Sequence, residues 1–472
     1  MIVGARLAHA DGAFPDSDSI VVPDALPEEI FLGTNFGLVL SVDGGVTWTW
    51  TCEQPGNAFG NHYQMGASPM NRLYAQARGS TSATLAYSDD TGCSWQVADG
   101  AVAGATVLDA FADPTDAGRV LALVSRSGDA GASYEAWESS DGGATFATRR
   151  YATPDALTGV ETARSDPATV YLTLIGVGDG GPIPELARST DGGATWTLHD
   201  LSPGLGAHIL NLRLIAVDPD DAGTVFLRVS GGSGEQVAVT RDGGATVAPV
   251  LTFTAGTVAA FARVPATGDL IVGGVSGLNS VAFQSTDDGA TFQPLPTPPH
   301  LRALAARGSR LYGVADNYTD GYAIGTSDDE GMTWQPLVSF GGDPGDPTVA
   351  VIGSVTACVA ALCQSDCLTR ANMGQWAPDV CGVTPPMSDG GAVRDAARDA
   401  PPVRTDAARH DAAGRDASVG GHAASGCSCD AGPVSGSPAA SFPLLALLAA
   451  SGLARRWRRG RKPLPPPQVL DA

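Results

Sequence analysis

The sequence predicts an all-β fold of repeated four-stranded units, with seven units favoured and eight the alternative. A disordered stalk and one short C-terminal hydrophobic helix are expected to follow. Three observations predict this. An octamer typified by Ser189-Thr190-Asp191-Gly192-Gly193-Ala194-Thr195-Trp196 recurs along most of the chain. Its copies start at Ser41, Ser88, Ser139, Ser189, Thr240, Ser285 and Ser327, which are 42 to 51 residues apart, and self-similarity at that period means a repeat architecture. The 472 residues include 60 glycines and only 6% aromatics, which suits short strands and turns rather than helices. Apolar-alternating runs flank the octamers, as strands would.

The octamer itself reads as a hairpin. Asp followed by Gly between two such runs is a strong turn signal. The carboxylate can accept hydrogen bonds from N–H groups just ahead of it in the chain. Gly supplies positive φ, Thr opens the next strand, and Trp or Phe anchors it in the core. The pattern S-x-D-x-G-x-T-W resembles the Asp-box, or bacterial neuraminidase repeat. Ser41/Asp43/Gly45/Thr47/Trp48, Ser139/Asp141/Gly143/Thr145/Phe146, Ser189/Asp191/Gly193/Thr195/Trp196 and Ser285/Asp287/Gly289/Thr291/Phe292 match it residue by residue. Looser copies centre on Asp90, Asp242 and Asp329. The resemblance implies a β-propeller with one box per blade, placed between the third and fourth strands. It assigns Asp43, Asp90, Asp141, Asp191, Asp242, Asp287 and Asp329 a structural role, remote from the ligand face.

The chain then divides in order. Residues 1–17 read as the remnant of a clipped signal peptide. Ala8-His9-Ala10 is an A-x-A cleavage pattern, but the apolar run before it is short; a plain disordered tail is the alternative. Residues 18–342 hold the repeats. In the first, Thr47–Cys52 alternates, so Trp48, Trp50 and Cys52 share a face. Asp-Pro turns follow the first strands of later repeats at Asp113, Asp166 and Asp218. Residues 343–386 are a Cys-rich cap or a partial eighth blade, in which Thr348–Val355 reads as a strand and Arg370–Trp376 as a degraded box. Residues 387–425 are an Ala/Asp/Arg low-complexity linker, too poor in large apolar residues to bury a core.

Cys52, Cys93, Cys358, Cys363, Cys367 and Cys381 are disulfide candidates in an oxidising compartment. Cys52 and Cys93 fall in adjacent repeats and could pair with each other; the sequence leaves the connectivity open. A zinc site is the alternative, although no C-x-x-C spacing or nearby histidine supports it.

Residues 426–462 combine Cys427 and Cys429, an apolar run over 439–454, and the basic cluster Arg455, Arg456, Arg458, Arg459, Arg461 and Lys462. The run is short for a spanning helix, and the basic cluster would stay cytoplasmic. This order resembles the MYXO-CTERM sorting signal of myxobacteria. It implies processing near Cys427 by a membrane sorting protease, lipid modification of that cysteine, and display at the cell surface or outer membrane after transient inner-membrane anchoring. A plain membrane anchor is the alternative. Residues 463–472 are an extra tail.

Charge narrows the function. The net charge is −22, and the residues up to 386 carry 42 acidic and 17 basic side chains. Such a body excludes nucleic-acid binding, which needs basic patches. The Asp-box resemblance brings sialidases to the fore, and these carry an arginine triad, a Tyr–Glu pair and an Arg-Ile-Pro-type run. No such run occurs, and the first arginine after Arg6 is Arg72. Glu53 and Glu161 are carboxylates near strand ends without a recognisable catalytic partner. The seven histidines are scattered, and no calcium loop or H-E-x-x-H occurs; the acidic loop Asp343–Asp346 is at most a weak cation site. No catalytic, cofactor or metal residues are therefore assigned. The expected function is a surface-displayed, non-enzymatic propeller that binds a glycan, peptide or protein of the envelope or extracellular space. The alternatives are a secreted glycoside hydrolase and an assembly scaffold resembling the plant photosystem assembly factors of the same fold.

Overall fold

The computed structural model describes residues 17–382 apart from 54–61, 77–83, 129–130, 179, 207–208, 232–233 and 341–347. The expectations placed on 1–16, on Asp343–Asp346 and on 387–472 lie outside the described residues, among them those for Cys427, Cys429 and Arg455–Arg459. Among the described residues no helix is long and apolar enough to cross a membrane.

The protein is mostly β, in a propeller-like arrangement. Five four-stranded antiparallel sheets span residues 62–97, 106–153, 156–200, 209–254 and 257–294. A nine-stranded sheet holds two further antiparallel runs of four, residues 17–51 and 303–339, joined through strand Ala350–Val355. That strand is parallel to both neighbours. Val338 and Ser339 pair with Ala350 and Val351, whereas Trp48 and Trp50 pair with Ile352 and Val355. First strands of most successive units pack side by side, Gly234–Thr240 makes the contact to Thr257–Arg263, and Ser17–Val21 touches both His62–Met65 and Ala303–Arg307, so the ring closes.

Continuous apolar runs explain the central strands. Residues 170–174 of Val170–Gly178 and residues 225–227 of Val225–Gly231 are buried on both faces between neighbouring sheets, as central strands of stacked sheets require. The Asp-Pro turns cap their own loops. Asp113 accepts from Thr115 N at 2.8 Å and Asp218 from Asp220 N at 2.9 Å.

Residues 350–382 form one strand, a helix at Ala360–Asn372 and two short 3-10 turns. The degraded box expected at Arg370–Trp376 is the end of that helix and the loop after it. Arg370 is buried beneath it, over the rings of Phe36 and Trp50 at 5.2 and 5.7 Å, with Gln375 and Asp366 as polar partners. Trp376 packs against Trp50 with ring centroids 5.0 Å apart and the planes tilted by 54°. Trp48, Trp50 and Cys52 do share a buried face, and it is this cap that covers it. Local sequence could not show this, because the partners lie about 320 residues apart.

The cysteines pair as Cys52–Cys363, Cys93–Cys358 and Cys367–Cys381. The pairing of Cys52 with Cys93 is thereby corrected. Each instead reaches the cap, because the cap seats over the outer strand of the first unit and brings Cys363 and Cys358 within 5.5 and 5.7 Å (Cα–Cα) of them.

Candidate functional site

Two sets of polar residues organise the molecule, and they differ in position and in chemistry. The first is the octamers. In each, the leading hydroxyl is buried and accepts from the second glycine's N–H at 2.8 Å, as Ser41 does from Gly45 and Ser327 from Gly331. The same hydroxyl donates to the aspartate, for instance Ser189 to Asp191 at 2.8 Å. The aspartate takes both the backbone N–H and the hydroxyl four residues on, at 2.8 and 2.6 Å in Asp43 with Thr47 and likewise in Asp242 with Thr246. Asp90, Asp141, Asp191, Asp287 and Asp329 repeat this with Ser94, Thr145, Thr195, Thr291 and Thr333. The hydroxyl, seconded by the N–H, pulls Asp43, Asp191, Asp242 and Asp287 down to about 2. Asp329 is lowered in the same way. In Asp90 and Asp141 desolvation opposes the shift, and the hydrogen bonds outweigh it. Carboxylates held this firmly ionised are poor proton donors.

The second glycine of the octamer has a further role. It has φ between +76° and +105° in all seven copies, and it abuts the preceding unit. A Cβ on Gly92 would lie 2.9 Å from Leu38, on Gly143 2.9 Å from Tyr74, and on Gly289 2.7 Å from the Phe226 ring. Gly45 meets Leu337 in the same way, which joins the last unit to the first. The first glycine position is freer. Thr91, Asp288 and Glu330 occupy it with φ of 54° to 59°.

The second set lines the central channel, where first strands, and in one case the third strand Gly234–Thr240, reach across to the next unit. Gln64 donates to Ala110 O at 2.6 Å and accepts from Ala112 N at 2.9 Å. Asp109 accepts from Val160 N at 3.0 Å, and Glu161 from Val217 N at 3.0 Å. Glu235 accepts from Val258 N at 2.8 Å and holds Arg228 with both oxygens at 2.7 Å. Glu161 is half-buried on this wall. Desolvation, helped by the Asp109 charge and opposed by the Val217 N–H, pushes it up to about 8. Glu161 and Asp109 are the residues that sequence reasoning passed over or undervalued. Their partners are 56 and 51 residues away, and no local spacing signals them. Glu53 lies just past strand Trp48–Thr51, where its charge adds to the burial that raises the Tyr63 phenol.

Beside these fasteners lies a channel cavity of about 320 Å³, lined by His62, Arg213, Leu214, Arg228, Phe261 and Leu304 among others. A second cavity of about 400 Å³ is lined by Asp218, Asp220, Asp221, Asp287 and Asp288 with Arg241 and Arg263. Among the described residues no group of three or more His, Cys, Asp or Glu is placed to hold a metal ion.

No known protein family matches the chain, and no curated protein does. Solved structures are similar at low identity. The GH74 enzyme of Niastella koreensis is 14% identical with a TM-score of 0.47, over 69% of this chain and 55% of that one. The GH74 xyloglucanase of Xanthomonas campestris is 15% identical with a TM-score of 0.37, over 67% and 57%. YCF48 of Cyanidioschyzon merolae is 13% identical with a TM-score of 0.43, over 63% and 92%. The chain thus spans little more than half the length of the two GH74 enzymes.

Proposed function

We propose that this chain is a seven-bladed Asp-box propeller that binds a glycan, peptide or protein of the envelope or extracellular space at the mouth of its channel, without catalysing a reaction. The seven blades are the five four-stranded sheets plus the two runs within the nine-stranded sheet. The observation that carries the reading is how the inner carboxylates are used. Asp109, Glu161 and Glu235 each hold a backbone N–H of the next unit, while the cavity beside them is lined mainly by apolar side chains and cations. That lining suits recognition better than hydrolysis, which calls for two carboxylates free to face a substrate.

Display follows from two further supports. The three disulfides fit an oxidising compartment, and the MYXO-CTERM-like ending fits anchoring and sorting in the envelope of a myxobacterium. Leu278 is exposed on a hairpin at the end of its sheet opposite the octamer turn, whereas Val46 is exposed on an octamer turn itself. Cross-linking on intact cells, with the cross-linker placed at Leu278, should recover a discrete partner. Recovery of nothing above a control placed at Val46 would defeat the binding reading. Protease shaving of intact cells should release the propeller.

One observation favours glycoside hydrolysis as a second reading: Glu161 holds its proton near neutral pH with the Asp109 charge nearby, a pairing that general acid catalysis uses. Glu161→Gln separates the two. A hundredfold loss of glycan-hydrolysing activity would install the hydrolase, whereas unchanged partner recovery supports binding.

A further inference from the structure

We infer that the channel cavity is a binding site for an apolar monocarboxylate, with Arg213 as the residue that takes the carboxylate. This deepens the binding reading above and rests on it. Arg213 lies on strand Ile209–Val217 and lines the cavity. Its guanidinium makes one described hydrogen bond, from Nη1 to Thr158 O at 3.1 Å, and no carboxylate of the described residues forms an ion pair with it. The neighbouring Arg228 is different, since Glu235 grips it with both oxygens. Arg213 therefore leaves most of a planar, bidentate donor fork open in a body whose net charge is strongly negative.

The rest of the lining sets the ligand class. Leu214, Ile215, Val258, Phe261 and Leu304 make most of the wall apolar, with His62 and the Glu235-bound Arg228 as its other polar members, and about 320 Å³ is the small end of the range for small-molecule sites. One open guanidinium suits one carboxylate on a compact apolar body. A phosphate or polyanion would need more cations and would meet the acidic body's repulsion. A sugar would leave its hydroxyls facing a wall with few polar partners. Such a carboxylate occurs in two sources, a free small acid or the C-terminus of a polypeptide ending in an apolar residue.

The test uses the full-length chain and isothermal titration with three probes: 3-phenylpropionate, 3-phenylpropionamide, and an acetylated tripeptide ending in phenylalanine with a free carboxylate. The acid is expected to bind at least tenfold more tightly than the amide, and Arg213→Met to weaken the acid at least tenfold, with Arg213→Lys intermediate. Thermal unfolding checks that each variant is folded; should Arg213→Met unfold, Arg213→Lys and Phe261→Ala carry the test, each expected to weaken the acid. A tripeptide tighter than the acid identifies a polypeptide terminus, and a weaker one a free acid. Equal binding of acid and amide, no binding of any probe, or a folded Arg213 variant with wild-type affinity overturns the inference. A partner cross-linked at Leu278 while no probe binds defeats this inference alone. Probe binding with no partner recovered defeats only the macromolecular reading.

Discussion

The octamer hairpins and the channel wall solve the same problem, holding neighbouring sheets in register, by opposite means. An octamer network closes within seven residues and is repeated seven times with nearly the same distances. A channel fastener reaches 23 to 56 residues along the chain, and the side chains vary: an amide in Gln64, a short acid in Asp109, a longer one in Glu161 and Glu235. The two sets also have opposite proton demands. The octamers need their aspartates ionised, whereas the channel wall keeps Glu161 protonated. Gln64 and Glu161 illustrate the point, since both reach the N–H of the last residue in the next first strand, Ala112 or Val217. A protonated Glu161 is the nearest acidic equivalent of that neutral amide. The lesson is that the repeat carries the local turn, and the unique residues carry whatever is specific to this molecule.

The largest effect should come from the cap, which belongs to neither set. Replacing both Cys52 and Cys363 by serine removes a link across 311 residues. The intact Cys93–Cys358 bond shortens the effective loop to roughly 50 residues, so the loop-entropy relation puts the cost at about 4 kcal/mol, read by urea unfolding. A variant as stable as the wild type would mean that strand Ala350–Val355 closes the ring unaided.

Next comes the second glycine. Gly289→Ala combines left-handed strain with a 2.7 Å approach to the Phe226 ring and should cost about 3 kcal/mol. Gly192, where an added methyl would point into open space, should cost only about 1 kcal/mol when changed to alanine. Equal costs would show that φ alone, and not contact with the preceding sheet, fixes the second glycine.

The opposite proton demands give a pH signature. Glu161 has a folded pKa of about 8 against an ordinary value of 4.5. The folded state keeps a proton that the unfolded chain releases, so stability is full below 4.5 and falls as pH rises towards 8. The octamer aspartates, drawn down to about 2 from 3.8, lend stability that is present above 3.8 and lost as pH drops towards 2. Melting temperature should therefore peak near pH 4–5 and decline on both sides. Glu161→Gln should flatten the alkaline limb alone and raise the melting temperature at pH 8 by a few degrees. An unchanged alkaline limb in that variant would show that Glu161 does not hold its proton.

Much of this is legible along the chain. The period, the Asp-Gly turns and the alternation around Trp48 and Trp50 all depend on neighbours within a few residues. The helix Ala360–Asn372 escapes such a reading because its composition is mixed and cysteine-rich, and its buried face is defined by Phe36, Trp50 and Phe340 rather than by its own periodicity. Glu161 looks like an ordinary strand-end acid in sequence, because only the neighbouring strand supplies its desolvation and its N–H partner.

By itself the sequence determined the hairpins: Ser, Asp, Gly and Thr at fixed offsets satisfy one another's hydrogen bonds wherever they occur. Tertiary structure alone decided three things. It paired Cys52 and Cys93 with the cap instead of with each other, it raised the pKa of Glu161, and it left Arg213 beside an apolar cavity with its donors open. Each depends on the distance, burial and charge of groups far away in sequence, and those quantities exist only once the ring has closed.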